Sequence, residues 1–482
     1  MYSLMQILFA VMSGYVLWVV VTKLWRYNAL YQTVRNFANP APVHWFWGHL
    51  NATFMTDMRP LINMSDTEVY RMHHNTKWAI TWLGFLALIQ ANHPDSAKAV
   101  LKLSDHKPTG PGHLYNILTS FLGEGLINSN GAKWKRNRKM LTPAFHFDIL
   151  RPYVRIYNEA ADITLEKIAR LMKESPKSID ITDVLNLATL DVILRCALSY
   201  QGRIQEQEKH PYATAVYRIG LLMIRRLMYP WHFLSWTLYM MSDDGKEYKR
   251  HLDYVHGFAD DIIAKRRKAV ADDPSLLDGK HRLDFLDILM TARDESGVGL
   301  TDQEIRDEVD TFMFAGNDTT STALKWAIYN LGKYPDEQTK VYHEVCDVMG
   351  DRPTVEWEDL GKLQKLTLFM KESMRLFPPV TITSRVLSEP LQLDGVYFPT
   401  GTSVSVNFFY LHRHPDIYPD HSVFRPERFL PENMEDRDPY AFLPFSAGLR
   451  FRIMLDEDHE VIPLYELTFR SKNGIHIRFD ER

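Results

Sequence analysis

The sequence predicts one large domain, mainly α with small β-sheets, preceded by an N-terminal transmembrane helix. Three observations carry that expectation. Residues 4–21 are almost uninterruptedly apolar, residues 150–171, 179–198 and 254–269 place apolar side chains at three- and four-residue spacing, and a few short segments alternate apolar with polar. With 482 residues, 45% of them hydrophobic and 24% charged, the chain can bury a large core. No Gly/Ser-rich linker, low-complexity tract or repeat divides it after the N-terminus.

The N-terminal run is broken only mildly, by Gln6, Ser13 and Gly14, and is long enough to span a bilayer. No Lys or Arg precedes it and bulky Trp25 and Tyr27 follow, which is the pattern of a retained anchor and not of a cleaved leader. Lys23 and Arg26 lie on its C-terminal side, so the domain is expected to face the cytosol. Residues 1–27 are therefore read as the anchor, 28–45 as a stiff hinge containing Pro40 and Pro42, and 46–482 as the domain.

The formal charge of -4, with both signs interspersed, leaves no sustained basic face, and nucleic acid is not an expected partner. Cys196 and Cys346 stand far apart in helix-like segments, without metal-ligand spacing; they read as two buried thiols in a reducing compartment. Strand-like alternation marks residues 78–83 and 391–398, and Asn473-Gly474 suggests a hairpin turn within residues 467–479.

The most informative helix opens with Thr301 and Glu304 in a capping box and runs to about Gly332. Its apolar stripe of Val309, Phe312, Met313, Ala323 and Trp326 is interrupted by Ala315-Gly316-Asn317-Asp318-Thr319-Thr320. A mid-helix glycine costs about 1 kcal/mol relative to alanine. Gly316 is therefore expected to let a flat ligand approach the backbone, and Thr319, on the same side, to bond back along the helix. Alone, these would be core threonines with a tolerated glycine. Further on, a helix over residues 366–376 carries Glu372 and Arg375 and stops at Pro378-Pro379, followed by Phe424-Arg-Pro426-Glu427-Arg428-Phe429.

In this order and spacing the motifs resemble one family, the cytochrome P450 enzymes, from the anchor to the C-terminus. The resemblance implies the cytochrome P450 fold and a monooxygenase that inserts one oxygen atom into a C–H bond. It would use haem b, with electrons from NADPH through a reductase, in the endoplasmic reticulum membrane. It implies that Glu372, Arg375 and Arg428 form a buried ionic network. Trp134, Arg138, Arg385 and Arg450 are implied to hold the haem propionates, and Ala315, Gly316, Phe445 and Gly448 to border the cofactor. By the same resemblance Asp318 and Thr319 relay protons to the bound dioxygen. His412-Arg-His-Pro415 matches a family segment and is given no catalytic role. Residues 141–150, directly after the propionate helix, and Phe312-Met-Phe314 are similar to family 4, the fatty-acid ω-hydroxylases. A lipid or other apolar small molecule is thus the expected substrate. Many of those members carry a Glu at the position of Ala315 that bonds to the haem, an ester this chain cannot form.

One motif departs from the family. The proximal loop begins as Phe445-Ser-Ala-Gly448-Leu-Arg450, but Arg452 occupies the position of the axial cysteine. A guanidinium has no lone pair to offer an iron. Acidic residues 456–460 and the C-terminal segment follow almost at once, so a helix and its connections, on the order of 20 residues, are missing near residues 451–456. Family-like sequence on both sides of the join is what a skipped exon or a faulty gene model would leave. Met454 and His459 could ligate on chemistry alone, but nothing in the sequence aims them. The chain is accordingly read as a haem monooxygenase impaired at its iron centre, with a non-catalytic isoform, or a product too damaged to accumulate, as the alternatives.

Overall fold

A computed structural model describes residues 4–35, 37, 48, 77–83, 86–103, 106–110, 113, 115–175, 177–229, 231–232, 235–277 and 283–447, with three short strands between 463 and 477. Helix dominates. In chain order the helices used below are α1 (Leu4–Val34), α2 (Asn116–Leu122), α3 (Gly131–Leu141), α4 (Tyr153–Glu174), α5 (Thr182–Ala197), α6 (Pro211–Met228), α7 (Asp243–Asp272), α8 (Asp302–Lys333), α9 (Pro335–Met349) and α10 (Gln364–Leu376). The three helical stretches read from apolar spacing fall on α4, on α5 and within α7.

Helix α8 is the axis of the domain. Its N-terminus closes as the capping box requires: Thr301 Oγ1 accepts from the Glu304 amide at 3.2 Å, and Glu304 Oε2 from the Thr301 amide at 2.9 Å. Val309 and Met313 are fully buried and join α2, α5, α6 and α7 in the largest apolar cluster, while Trp326 stacks on Phe377 at 4.1 Å. Such burial stabilises by about 25 cal/mol per Å² of apolar surface.

The main sheet has the order β1-β2-β7-β4, with β1 (Trp78–Leu83), β2 (Leu86–Ala91), β4 (Ile382–Val386) and β7 (Ser403–Asn407). Only the β2–β7 pairing is parallel. Trp78 through Trp82 are all buried, so β1 is covered on both faces, and its polar Thr81 is met by Gln90 Nε2 at 2.8 Å. Residues 391–398 form not one strand but a hairpin, β5 (Leu391–Leu393) with β6 (Val396–Phe398), because Asp394 and Gly395 both take positive φ, +52° and +75°.

Three expectations are corrected. The N-terminal helix, expected to end at residue 27, does not end there. It continues to Val34 because Leu30, Val34 and Phe37 pack against Trp78 and Phe398 of the sheet cluster, so the first part of the expected hinge is helix and core; residues 38–45 lie outside the described residues. Nor do the strands flanking Asn473-Gly474 form the expected hairpin. Strand β10 (Phe469–Ser471) pairs with β9 (Pro463–Tyr465), and β11 (His476–Ile477) pairs with β3 (Ile179–Asp180), whose free edge just before α5 offers it backbone partners; the turn itself lies outside the described residues. Finally, Cys196 is buried but Cys346 is exposed, on the solvent face of amphipathic α9, and both are free thiols. Among the described residues, no helix is long and apolar enough to cross a membrane; the side chains of residues 4–10 are not among them.

Candidate functional site

The middle of α8 holds the first part of the site. Thr319 Oγ1 donates to the Ala315 carbonyl at 2.7 Å, which removes that carbonyl from the helix ladder's exclusive use. Asp318 is buried, Ala315 and Thr319 are half-buried, and Thr320 is exposed. Gly316 lies where α8 crosses α5. A Cβ there would lie 2.7 Å from Cδ1 of Ile193 on α5, so the close approach that the glycine permits is that of a helix. Thr189 of α5 reinforces that contact, its Oγ1 donating to Asn317 Oδ1 at 2.7 Å.

The N-terminal half of α8 carries three buried carboxylates that sequence reasoning missed. Asp307 accepts from the Glu124 amide at 2.9 Å, an approach possible only because Gly123 has no Cβ. Glu308 accepts from the Leu126 amide at 3.0 Å and from Asn137 Nδ2 at 3.3 Å, and burial pushes its carboxyl up to about 7 against those bonds. Asp310 Oδ2 lies 2.7 Å from His256 Nδ1, while His256 Nε2 meets the Ser120 carbonyl at 3.3 Å. Burial pushes Asp310 up to about 6; it also opposes protonation of His256, but the bond to Asp310 prevails and His256 is raised. The pair ties α7, α2 and α8 together.

The second part is a group of cations. Lys107 Nζ sits 5.5 Å from the Trp134 ring centroid and donates to the Leu126 and Ser129 carbonyls at 2.9 and 3.0 Å. Burial, then the charges of Arg385 and Arg138, push Lys107 down to about 8, with Glu308 pulling the other way. Trp134 is half-buried and Arg138 exposed on α3; Arg385 Nη1 donates to Thr383 Oγ1 and to the Ser384 carbonyl, both at 2.9 Å. Among the described residues no ion pair joins Lys107, Arg138 or Arg385 to a carboxylate. The fold thus brings together three of the four residues expected at the haem carboxylates and adds Lys107, which no local pattern marks, since its role depends on Trp134 and Arg385 arriving from elsewhere.

The donor set of this cluster, ammonium, guanidinium and indole, fits the carboxylate edge of a haem. Phe445, on β8 (Pro444–Ala447), is 43% exposed. Gly448, Arg450 and Arg452 lie outside the described residues, and among those described no group of His, Cys, Asp and Glu could hold a metal ion.

Away from the site, Glu372 and Arg375 are fully buried and meet through two bonds of 2.7 and 2.8 Å, while Arg375 also donates to the carbonyls of His412 and His421 at 3.0 and 2.7 Å. Glu372 Oε1 takes the Arg425 amide at 2.8 Å and lies 3.5 Å from Arg428 Nε. His412 is held neutral by burial, its pKa pushed down to about 3, and its Nε2 accepts from the Leu443 amide at 2.9 Å.

Known proteins bear on this geometry. The family profile described as Cytochrome P450 matches residues 39–451. The chain is 36% identical to an ultra-long-chain fatty acid omega-hydroxylase of Homo sapiens, over 93% of this chain and 88% of that one. It is 35% identical to cytochrome P450 4F4 of Rattus norvegicus, over 96% and 93%. In fold it matches the crystal structure of the cytochrome P450DA heme domain, with a TM-score of 0.75 and 21% sequence identity, over 92% of this chain and 98% of that one.

Proposed function

The chain belongs to the cytochrome P450 family and resembles its family 4 members, and from that premise we propose that it is a membrane-anchored haem protein of the fatty-acid hydroxylase type whose monooxygenase chemistry is impaired. One observation carries the impairment: Arg452 stands where the family has its axial cysteine, and neither Cys196 nor Cys346 belongs to that loop. The carboxylate-binding half of the site fits the cofactor and the axial half does not. When bound through a thiolate, haem supplies the activation of dioxygen for insertion into a C–H bond.

This chain's own residues support the remaining steps. Thr319 and Asp318 are placed on one turn of α8, where a hydroxyl tethered to Ala315 and a buried carboxyl can hold and pass a proton. Phe121 and Phe314, in contact at 5.2 Å, belong to the apolar cluster packed around the N-terminal half of α8. That the substrate is a fatty acid is supported by the human relative, an ultra-long-chain fatty acid omega-hydroxylase. The apolar run of residues 4–21 and the Lys23 and Arg26 that follow support an anchor of residues 1–27 in the endoplasmic reticulum membrane, with the domain on the cytosolic side and a reductase as electron donor.

The test is a reduced carbon-monoxide difference spectrum of the purified chain. The expected result is no long-wavelength thiolate band; its appearance overturns the impairment. Restoring the missing loop and helix should give that band together with oxidation of a long-chain fatty acid near its methyl end. If the repaired chain shows the band but oxidises no fatty acid, the fatty-acid reading is overturned and the haem-protein reading stands.

A further inference from the structure

Two arginines stand side by side in the last turn of α6, and they are treated differently. Arg225 lies half in water and its Nε meets Asp244 Oδ2 at 3.2 Å. Arg226 is 4% exposed, and no carboxylate pairs with it among the described residues. Only its Nε donates, to the His232 carbonyl at 3.1 Å, so four of its five N–H groups have no acceptor among the described residues. The guanidinium is held by rings: its Cζ lies 4.8 Å from the Trp236 centroid and 5.0 Å from that of Tyr239, both on the short helix Trp236–Met241. Those rings offset the charge but accept none of its hydrogen bonds, and the partial negative charge at the end of α6 leaves them unmade too. The Tyr239 hydroxyl, on the same ring that the guanidinium contacts, is buried and has no partner among the described residues. A buried cation without an anion and a buried hydroxyl without a partner each cost free energy that a carboxylate seated against both would recover.

We propose that Arg226, with the Tyr239 hydroxyl, binds the carboxylate of a fatty acid and so sets which end of that acid reaches α8. This rests on the reading of the chain as one of the fatty-acid hydroxylase type. A guanidinium offers a carboxylate two parallel N–H donors, and nothing in the group competes for them, since Asp244, the acid that acts on Tyr239, is taken by Arg225. Tyr239 touches Tyr248 of α7 at 5.8 Å, the Tyr248 hydroxyl lies 2.9 Å from Ser120 Oγ, and the next residue, Phe121, meets Phe314 of α8 at 5.2 Å. The head group is thereby held several rings away from Ala315. Carbons near the carboxylate are kept from the turn of Ala315 and Thr319, and the methyl end is the part left to reach it.

The experiment measures binding of radiolabelled palmitate to the full chain in phosphatidylcholine nanodiscs, with empty nanodiscs subtracted, so that iron ligation plays no part. Palmitate should bind, and methyl palmitate, which keeps the chain but lacks the charge, should compete at least about tenfold less well. Arg226→Gln should weaken palmitate about ten- to a hundredfold, the range of a charge-assisted hydrogen bond, and leave methyl palmitate as it was, removing the preference for the acid. Arg226→Lys should recover part of that preference. Tyr239→Phe removes a hydroxyl that has no partner, so it should keep the urea midpoint and still weaken palmitate about three- to tenfold; it serves if Arg226→Gln does not fold. Wild-type affinity for palmitate in Arg226→Gln or Tyr239→Phe, or equal binding of the methyl ester by the wild-type chain, overturns the proposal while leaving the fatty-acid reading intact. A wild-type chain that binds no palmitate overturns both.

Discussion

Two groups of buried charge in this molecule use the same chemistry to opposite ends. In the first, Glu372 faces Arg375 and Arg428, and the carbonyls of His412 and His421 take the guanidinium protons left over. In the second, Lys107, Arg138 and Arg385 gather with no anion paired to them among the described residues, in the field of one buried carboxylate that is already engaged. A group that the protein neutralises itself fixes the packing of α10 on the Pro426–Phe429 turn; a group left cationic holds an affinity in reserve. Removing a residue should therefore cost stability in the first and binding in the second.

The largest effect should come from opening the closed network. Arg375→Ala leaves Glu372 charged at zero exposure, and a loss of about 3–5 kcal/mol is expected, measured as the urea midpoint and the folded yield. A midpoint within error of wild type would erase the distinction between the two groups.

Next comes the buried carboxylate beside the second group. Glu308 is raised by burial from 4.5 to about 7, so the folded chain keeps its proton after the unfolded chain has lost it, and stability falls as pH rises through that window. The fall should amount to about 3 kcal/mol, at ~1.4 kcal/mol per pH unit. Asp310 and Asp284, both raised to about 6, act with the same sign. Denaturation of Glu308→Gln at pH 4.5 and 7 should show a smaller decline than wild type, and an equal decline would mean that Glu308 is ionised throughout.

Smaller again is the seam between α5 and α8. Gly316→Ala drives a Cβ to 2.7 Å from Ile193, and overpacking of about 1–3 kcal/mol is offset by about 1 kcal/mol of helix preference. Ile193→Ala in the same chain should remove the penalty, a coupling that a double-mutant cycle reads directly. At the far end, Lys139 and Glu295 pair on the surface, both largely in water, and Lys139→Ala should leave the midpoint unchanged.

Local rules made much of this legible. The Thr301 and Glu304 box, the apolar spacing of α4, α5 and α7, and the pairing of Glu372 with Arg375 are each set by residues within one or two helical turns. What escaped depends on distant neighbours. Gly316 announced a close approach but not that Ile193 would make it, and Cys346 turned outward because α9 has only one packed face. Lys107 acquires meaning only when α3 and β4 bring Trp134 and Arg385 to it. The Asp394-Gly395 turn was a missed opportunity, since an Asp-Gly pair between short alternating runs is itself a hairpin signal.

Helix α1 runs unbroken through the end of its apolar run and is seated in the domain by Leu30, Val34 and Phe37. At about 1.5 Å per residue, its 31 residues make a rod of roughly 45 Å. With its first part in a bilayer, as proposed, such a rod is a mast and not a tether. The height and tilt of the domain above the lipid surface would then be set by the angle of one helix, so a proline placed at Asn28 would unstep the mast and let the domain swing.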